Sequence, residues 1–276
     1  MSNCSSCPSH GTCGKSESTC GIKNNEKNKI KHVIGVMSGK GGVGKSSMSV
    51  LLAKELRRRG YSVGIMDADI TGPSIPRLLG LENEQAYGTN DAINPVIDKD
   101  GIKVMSLNFL VEEENKPVVW RGPIVGNAVR QFWTDVLWEE LDYLLIDMPP
   151  GTGDVALTVL QSIPVNGIVM VSTPQPMVSM IVSKAINMCK EVKVPVLGII
   201  ENMSYVECPD CGRHIELFAN KNTEEFLKEN DVELWAELPM KPAISQIHKD
   251  AEFSEEETKE IQSLIAPAVD QLVSKF

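Results

Sequence analysis

The stretch "HVIGVMSGKGGVGKSSMSV", residues 32–50, sets an apolar run of strand length, a glycine-rich loop and the start of a helical pattern end to end. Gly39, Gly44, Lys45 and Ser46 satisfy the G-x-x-x-x-G-K-[ST] spacing of a phosphate-binding loop. Backbone N–H groups of such a loop cradle phosphates, its lysine reaches the β and γ phosphates of ATP, and its hydroxyl ligates Mg²⁺. A strand before and a helix after are the context this motif requires. Gly39, Lys40, Gly41, Gly42, Val43, Gly44, Lys45, Ser46 and Ser47 are therefore the candidate nucleotide loop. Lys40 is one lysine more than the spacing demands.

Outward from the loop, apolar runs recur as "SVGIMDAD" at 62–69, "IKVMSLNFL" at 102–110, "YLLIDMP" at 143–149, "GIVMVSTP" at 167–174 and "VPVLGIIENM" at 194–203. Helical patterns fall over 45–59, 123–140, 154–163 and 177–192. A last helix is expected over 254–274, with Pro267 kinking or splitting it. Strands that are hydrophobic without alternation are buried on both faces. The expected fold is α/β: a doubly wound, mostly parallel sheet with helices on both faces, of the P-loop NTPase kind. Residues 1–30 carry almost no large apolar side chains and read as a Cys-rich N-terminal extension; residues 31–276 read as the ATPase domain.

Two sets of carboxylates suit this nucleotide chemistry. Asp147 ends the apolar run in "YLLIDMPPGTGD", the arrangement in which a strand-end carboxylate holds Mg²⁺. Asp67 and Asp69 lie one pleat apart at the end of another strand, placed to orient an attacking water.

Lys40 together with Lys45 resembles the deviant Walker A signature of the MinD/ArsA-type ATPases. That resemblance implies that Lys40 contacts nucleotide phosphates across a dimer interface and senses them in trans. "DADITGPSIPRLLG", "WRGP", "QFWTDVLWEELDYLLIDMPPGTGD", "VSTPQ", "ENMSYVECPDCG" and "IELF" narrow the likeness. Over roughly residues 31–276 the chain resembles the Mrp/ApbC-type iron-sulfur cluster carriers. The resemblance implies an ATPase that binds a [4Fe-4S] cluster and passes it to recipient apo iron-sulfur proteins. It also implies that Asn202 and the segment around Pro239 lie near the adenine base. One departure is visible: Phe218 leads into "ANKN" where many members carry a glycine-rich run.

The chain has seven cysteines in two clusters and one singleton. Cys208-Pro-Asp-Cys211 puts two thiolates on one tight turn, which is half a ligand set. A homodimer with a bridging [4Fe-4S] cluster would complete it, and half of a zinc knuckle is the competing chemistry. Cys4, Cys7, Cys13 and Cys20 can close a site within one chain. The first three resemble the amino-terminal extension of the cytosolic scaffold branch of the same family, whose fourth cysteine lies upstream, whereas here it could only be Cys20, downstream. A cluster, zinc and labile thiols all stay open for this set. Cys189 reads as a small packed hydrophobe, and His10, His32, His214 and His248 as solvent-facing side chains.

The net charge of -10 argues against binding nucleic acid or anionic lipid. Arg57, Arg58 and Arg59 sit at the end of a helix, where cations complement the dipole. No run approaches the ~20 apolar residues of a membrane span, and the N-terminus lacks the apolar core of a signal peptide, so a cytoplasmic protein is expected. A membrane- or DNA-positioning ATPase would show a basic amphipathic C-terminal helix, but this one begins "SEEETKE". A nitrogenase-reductase-like ATPase would draw its cluster ligands from distant cysteines rather than one C-x-x-C.

Overall fold

In the computed structural model the described residues are 24–70, 72–89, 92–111, 122–218, 223–247 and 253–276. Cys4, Cys7, Cys13, Cys20, His10 and His248 lie outside them. The first half of the chain runs β1 (Lys29–Ser38), α1 (Lys45–Arg58), β2 (Val63–Asp67), α2 (Ile75–Leu78), β3 (Val96–Ile97), β4 (Lys103–Met105), α3 (Gly122–Thr134) and β5 (Glu140–Asp147). The second half runs α4 (Asp154–Ser162), β6 (Gly167–Ser172), α5 (Pro176–Glu191), β7 (Val196–Glu201), β8 (Tyr205–Glu207), β9 (His214–Glu216), α6 (Thr223–Asn230), β10 (Leu234–Glu237), α7 (Pro242–Ser245) and α8 (Glu255–Ser274).

Eight strands form one sheet in the order β10-β7-β6-β1-β5-β2-β4-β3, parallel except for β3 at the edge. Alternation along β1 divides the core: Ile34 and Val36 pack with α1 and α8, whereas Val33 and Met37 pack with α3, α4 and α5. Burying each such side chain contributes roughly 1.5–3 kcal/mol, which is why the strands read as continuous apolar runs. β8 and β9 form a separate two-stranded hairpin. Among the described residues no helix is long and apolar enough to cross a membrane.

Three expectations are corrected. The helix expected over 123–140 ends at Thr134. Leu137 N donates to Ile93 O (2.9 Å) and Trp138 Nε1 to Phe132 O (3.0 Å), so the apolar residues that continued the helical period are pinned in an extended link. "IKVMSLNFL" is strand only over Lys103–Met105, because Ser106 turns its hydroxyl onto Asp67 and a 3₁₀ turn follows. Pro267 does not split the last helix: α8 runs through it, held on both sides by buried Ile265, Ala268 and Val269. His32 also departs from expectation, since its half-buried ring packs between Tyr143 and Phe276, and burial lowers its pKa.

Candidate nucleotide and cysteine sites

β1 delivers the glycine-rich loop to the C-terminal edge of the sheet, where α1 begins, a place in such folds where ligands bind. The loop turns through left-handed backbone at Gly42 (φ 80°) and Gly44 (φ 86°). A side chain at Gly44 would also collide with Asn202, its Cβ falling 2.3 Å from Nδ2. At Gly41 and Gly42 a Cβ would meet nothing within 4 Å, so the loop backbone is open on that side.

Lys45, Ser46 and Ser49 all converge on Asp147, which is fully buried at the end of β5. Lys45 Nζ lies 2.7 Å from Asp147 Oδ2; Ser46 Oγ donates to the same oxygen and Ser49 Oγ to Oδ1, both at 2.7 Å. Asp67 is the register partner of Asp147 on β2. It accepts hydrogen bonds from Asp69 N (3.2 Å) and Ser106 Oγ (3.1 Å). Burial pushes its carboxyl up to about 8, with the neighbouring Asp147 charge adding to the effect and Lys45 opposing it. Asp69 lies just beyond the strand, its Oδ2 3.8 Å from Lys45 Nζ.

Three further loops press on the glycine-rich one. Gly151 N, in "MPPGTGD", donates to Ser38 O (2.8 Å). Lys40 Nζ donates to Gln175 Oε1 of the same chain, on the loop after β6. Asn202, one residue past β7, donates from Nδ2 to Val43 O (2.9 Å), while its buried Oδ1 has no partner. Pro239 follows Leu238, whose N donates to Glu201 O (2.8 Å), which brings its segment beside Asn202. The residues fit a magnesium nucleotide. An N–H-lined loop with an open side would receive phosphates, a hydroxyl and a carboxylate together would hold the cation, and an unsatisfied acceptor would meet a base.

The cysteine pair sits on the tip between β8 and β9. Cys208 N donates to Arg213 O and Gly212 N to Cys208 O, both at 2.9 Å, with Gly212 left-handed at φ 67°. Backbone N–H groups of Asp210 and Cys211 face the Cys208 sulfur and hold its pKa below the ordinary thiol value. Cys211 is exposed, and both thiols are free. Lys241 Nζ pairs with Glu207 (3.0 Å), the residue before Cys208, and with Glu260 on α8. Among the described residues no group of three or more His, Cys, Asp or Glu side chains is placed to hold a metal ion, so the pair stands as two ligands. Cys189 is buried in the core, as expected, and burial pushes its thiol up to about 11.

Ser49 and Gln175 escaped the sequence reading. Ser49 had a signal, since it lies one helical turn after Lys45 and so faces the same strand end. Gln175 closes the quoted "VSTPQ" stretch, but nothing in the sequence shows its contact with Lys40, which is made across the fold.

The family described as "NUBPL iron-transfer P-loop NTPase" matches residues 29–275. An iron-sulfur cluster carrier protein of Clostridium perfringens is 46% identical over 254 residues, 87% of this chain and 89% of that one. Another from Methanocaldococcus jannaschii is 46% identical over 243 residues, 86% of this chain and 83% of that one. The nucleotide-binding protein of Archaeoglobus fulgidus, solved in complex with ADP, superimposes with a TM-score of 0.70 at 44% identity over 79% of this chain and 86% of that chain. The Aquifex aeolicus MinC:MinD cell division complex, 20% identical, shares the fold with a TM-score of 0.60 over 88% of this chain and 96% of that chain. With residues 29–275 matched, the chain belongs to the iron-transfer P-loop NTPase family that includes the iron-sulfur cluster carrier proteins.

Proposed function

We propose that the chain binds and hydrolyses magnesium ATP, and that two copies hold a [4Fe-4S] cluster between them until it passes to recipient apo iron-sulfur proteins. The observation that carries this reading is the distance in sequence between the two chemistries. Asn202, bonded to the nucleotide loop at Val43, stands six positions before Cys208 at the hairpin tip. A nucleotide-dependent shift at one is therefore passed through β8 to the other.

In this reading the loop N–H groups and Lys45 hold the β and γ phosphates, and Ser46 with Asp147 would hold Mg²⁺, which supplies charge neutralisation on the phosphates. Asp69 places the attacking water, backed by Asp67. Lys40 leaves Gln175 to reach the nucleotide of the second copy. Cys208 and Cys211 supply two thiolates per copy, and a two-fold axis makes four. Cargo held at a hairpin tip, at an interface that can open, is accessible to ligand exchange. The N-terminal Cys4, Cys7, Cys13 and Cys20 hold a second cluster within each chain.

The test is iron, sulfide and zinc content after anaerobic reconstitution, followed by reactivation of an apo-aconitase-type acceptor. The full chain should transfer cluster. The double variant Cys208→Ala, Cys211→Ala should keep the tail iron and transfer nothing, and removal of residues 1–22 should cost about one cluster per chain while sparing transfer. Full transfer by the double variant would reverse the roles of the two sites, and zinc in place of iron would refute the reading.

A further inference from the structure

Four buried side-chain polar atoms lack a hydrogen-bond partner among the described residues: Asp98 Oδ2, Thr173 Oγ1, Asn202 Oδ1 and Trp235 Nε1. Two of the four belong to residues at neighbouring strand ends, one of which, Asn202, touches the nucleotide loop. Ser172 and Glu201 are register partners at the ends of β6 and β7, and Asn202 N continues the ladder by donating to Ser172 O (2.9 Å). Thr173 and Asn202 are the next residues along the two strands. Two residues back, Val171 and Ile200 both pack into the core beneath α1, so Thr173 and Asn202 fall on that same side of the sheet. It is the side on which Asn202 touches the loop at Val43. Thr173 is 6% exposed and Asn202 3%, so bulk water satisfies neither.

We propose that Thr173 is a nucleobase-reading residue that acts with Asn202 to select a 6-aminopurine. The inference rests on the ATP-binding reading above. Because Asn202 Nδ2 is committed to Val43 O, the open end of the amide is Oδ1, an acceptor only. An acceptor there welcomes an exocyclic amine and opposes the carbonyl that guanine presents at the same ring position. The Thr173 hydroxyl can donate, and a purine offers a ring nitrogen beside that amine as acceptor. A base with the adenine pattern satisfies both orphan atoms, and guanine leaves the Asn202 oxygen facing another acceptor. Buried polar atoms without partners destabilise the ligand-free fold, so removing one stabilises the chain alone while weakening the complex.

That opposition of signs gives the test. Thr173→Val keeps the shape and deletes the hydroxyl. Its ligand-free melting temperature should rise by about 2–4 °C. Its ATP affinity, read by calorimetry on the full chain, should fall about five- to tenfold, while binding of inorganic tripolyphosphate and of GTP stays as in the parent. Thr173→Ser, which keeps the hydroxyl, should hold ATP like the parent. Failure of the parent to bind ATP would strike the proposed function itself. With a parent that binds, three results overturn the assignment of Thr173. These are unchanged ATP affinity in Thr173→Val, an equal loss for ATP and tripolyphosphate, or a Thr173→Ser variant as weak as Thr173→Val.

Discussion

Asp67 is a carboxylate in a place that resists ionisation. It is 1% exposed, and its register neighbour across β2 and β5 is a second buried carboxylate, Asp147. Its folded pKa, pushed up to about 8, lies above the unfolded value near 4. Below about pH 4 both states hold the proton and the contribution to stability is complete; as pH climbs toward 8 the unfolded chain releases the proton first, so stability is lost. Asp67→Asn should flatten that slope in the ligand-free chain, giving a melting temperature at pH 8 equal to or above the parent's, and should still slow ATP hydrolysis at least tenfold. A variant that melts lower at pH 8, or that hydrolyses like the parent, would show the carboxylate to be a structural acceptor for Ser106 and Asp69 N. Lys45→Ala is the control of opposite character: in the proposed reading the residue holds phosphate, and its loss should cut hydrolysis by roughly 10²–10³. Residues of this kind were legible because the motif fixes both spacing and chemistry. Thr173 was not, since its meaning depends on which strand end it adjoins.

Elements buried on both faces were the easiest to find. β1, β2, β5, β6 and β7 each contain or lie within an apolar run that the sequence displays openly, because both faces of these central strands pack mainly against apolar side chains. The hairpin of β8 and β9 had no such signal: its strands are three residues each, β9 exposed throughout and β8 half-buried at Tyr205 and Val206, and the turn between the cysteines joins them. The hairpin instead takes its position from outside itself. Ser204 N donates to Leu238 O (2.8 Å), Met240 N to Tyr205 O (2.7 Å), and Lys241 ties Glu207 to α8. α8 shows how packing overrides propensity. Pro267 lacks the N–H that would bond to Ser263, yet α8 continues through the defect with buried Ile265, Ala268 and Val269 beside it. Pro267 itself is exposed, so replacing it with alanine removes no packing. The restored hydrogen bond and relief of the ring clash outweigh the ~0.4–1 kcal/mol gained by a more flexible unfolded chain. Pro267→Ala should therefore stabilise the fold by about 1–2 kcal/mol, a rise in denaturant midpoint at unchanged slope. A lower midpoint would mean that the proline sets a bend that the packing of α8 requires.

At the scale of the whole molecule, the glycine-rich loop, the Asp67 and Asp147 strand ends, Asn202 and the cysteine hairpin all emerge from the C-terminal edge of one parallel sheet. Strands that run parallel all end at that edge, so a P-loop fold offers one face on which nucleotide and cargo can be held together. Lys40 lies on this face and in the single chain bonds to Gln175, which immediately follows Thr173 and Pro174 on the loop after β6. If a second copy draws Lys40 to its nucleotide, the Gln175 bond breaks and the loop beside Asn202 is released. The hairpin then feels the nucleotide through the six positions from Asn202 to Cys208. In cluster-loaded protein the rate of transfer to an apo acceptor should therefore differ between ATP- and ADP-saturated samples. Lys40→Ala should bind ATP within about threefold of the parent, because the phosphates keep Lys45 and the loop N–H groups. Its transfer rate should no longer distinguish the two nucleotides. Loss of ATP binding as complete as in Lys45→Ala would make Lys40 an ordinary phosphate ligand of its own chain. Transfer by the parent at one rate with either nucleotide would show that the shared face brings the two sites together without coupling them.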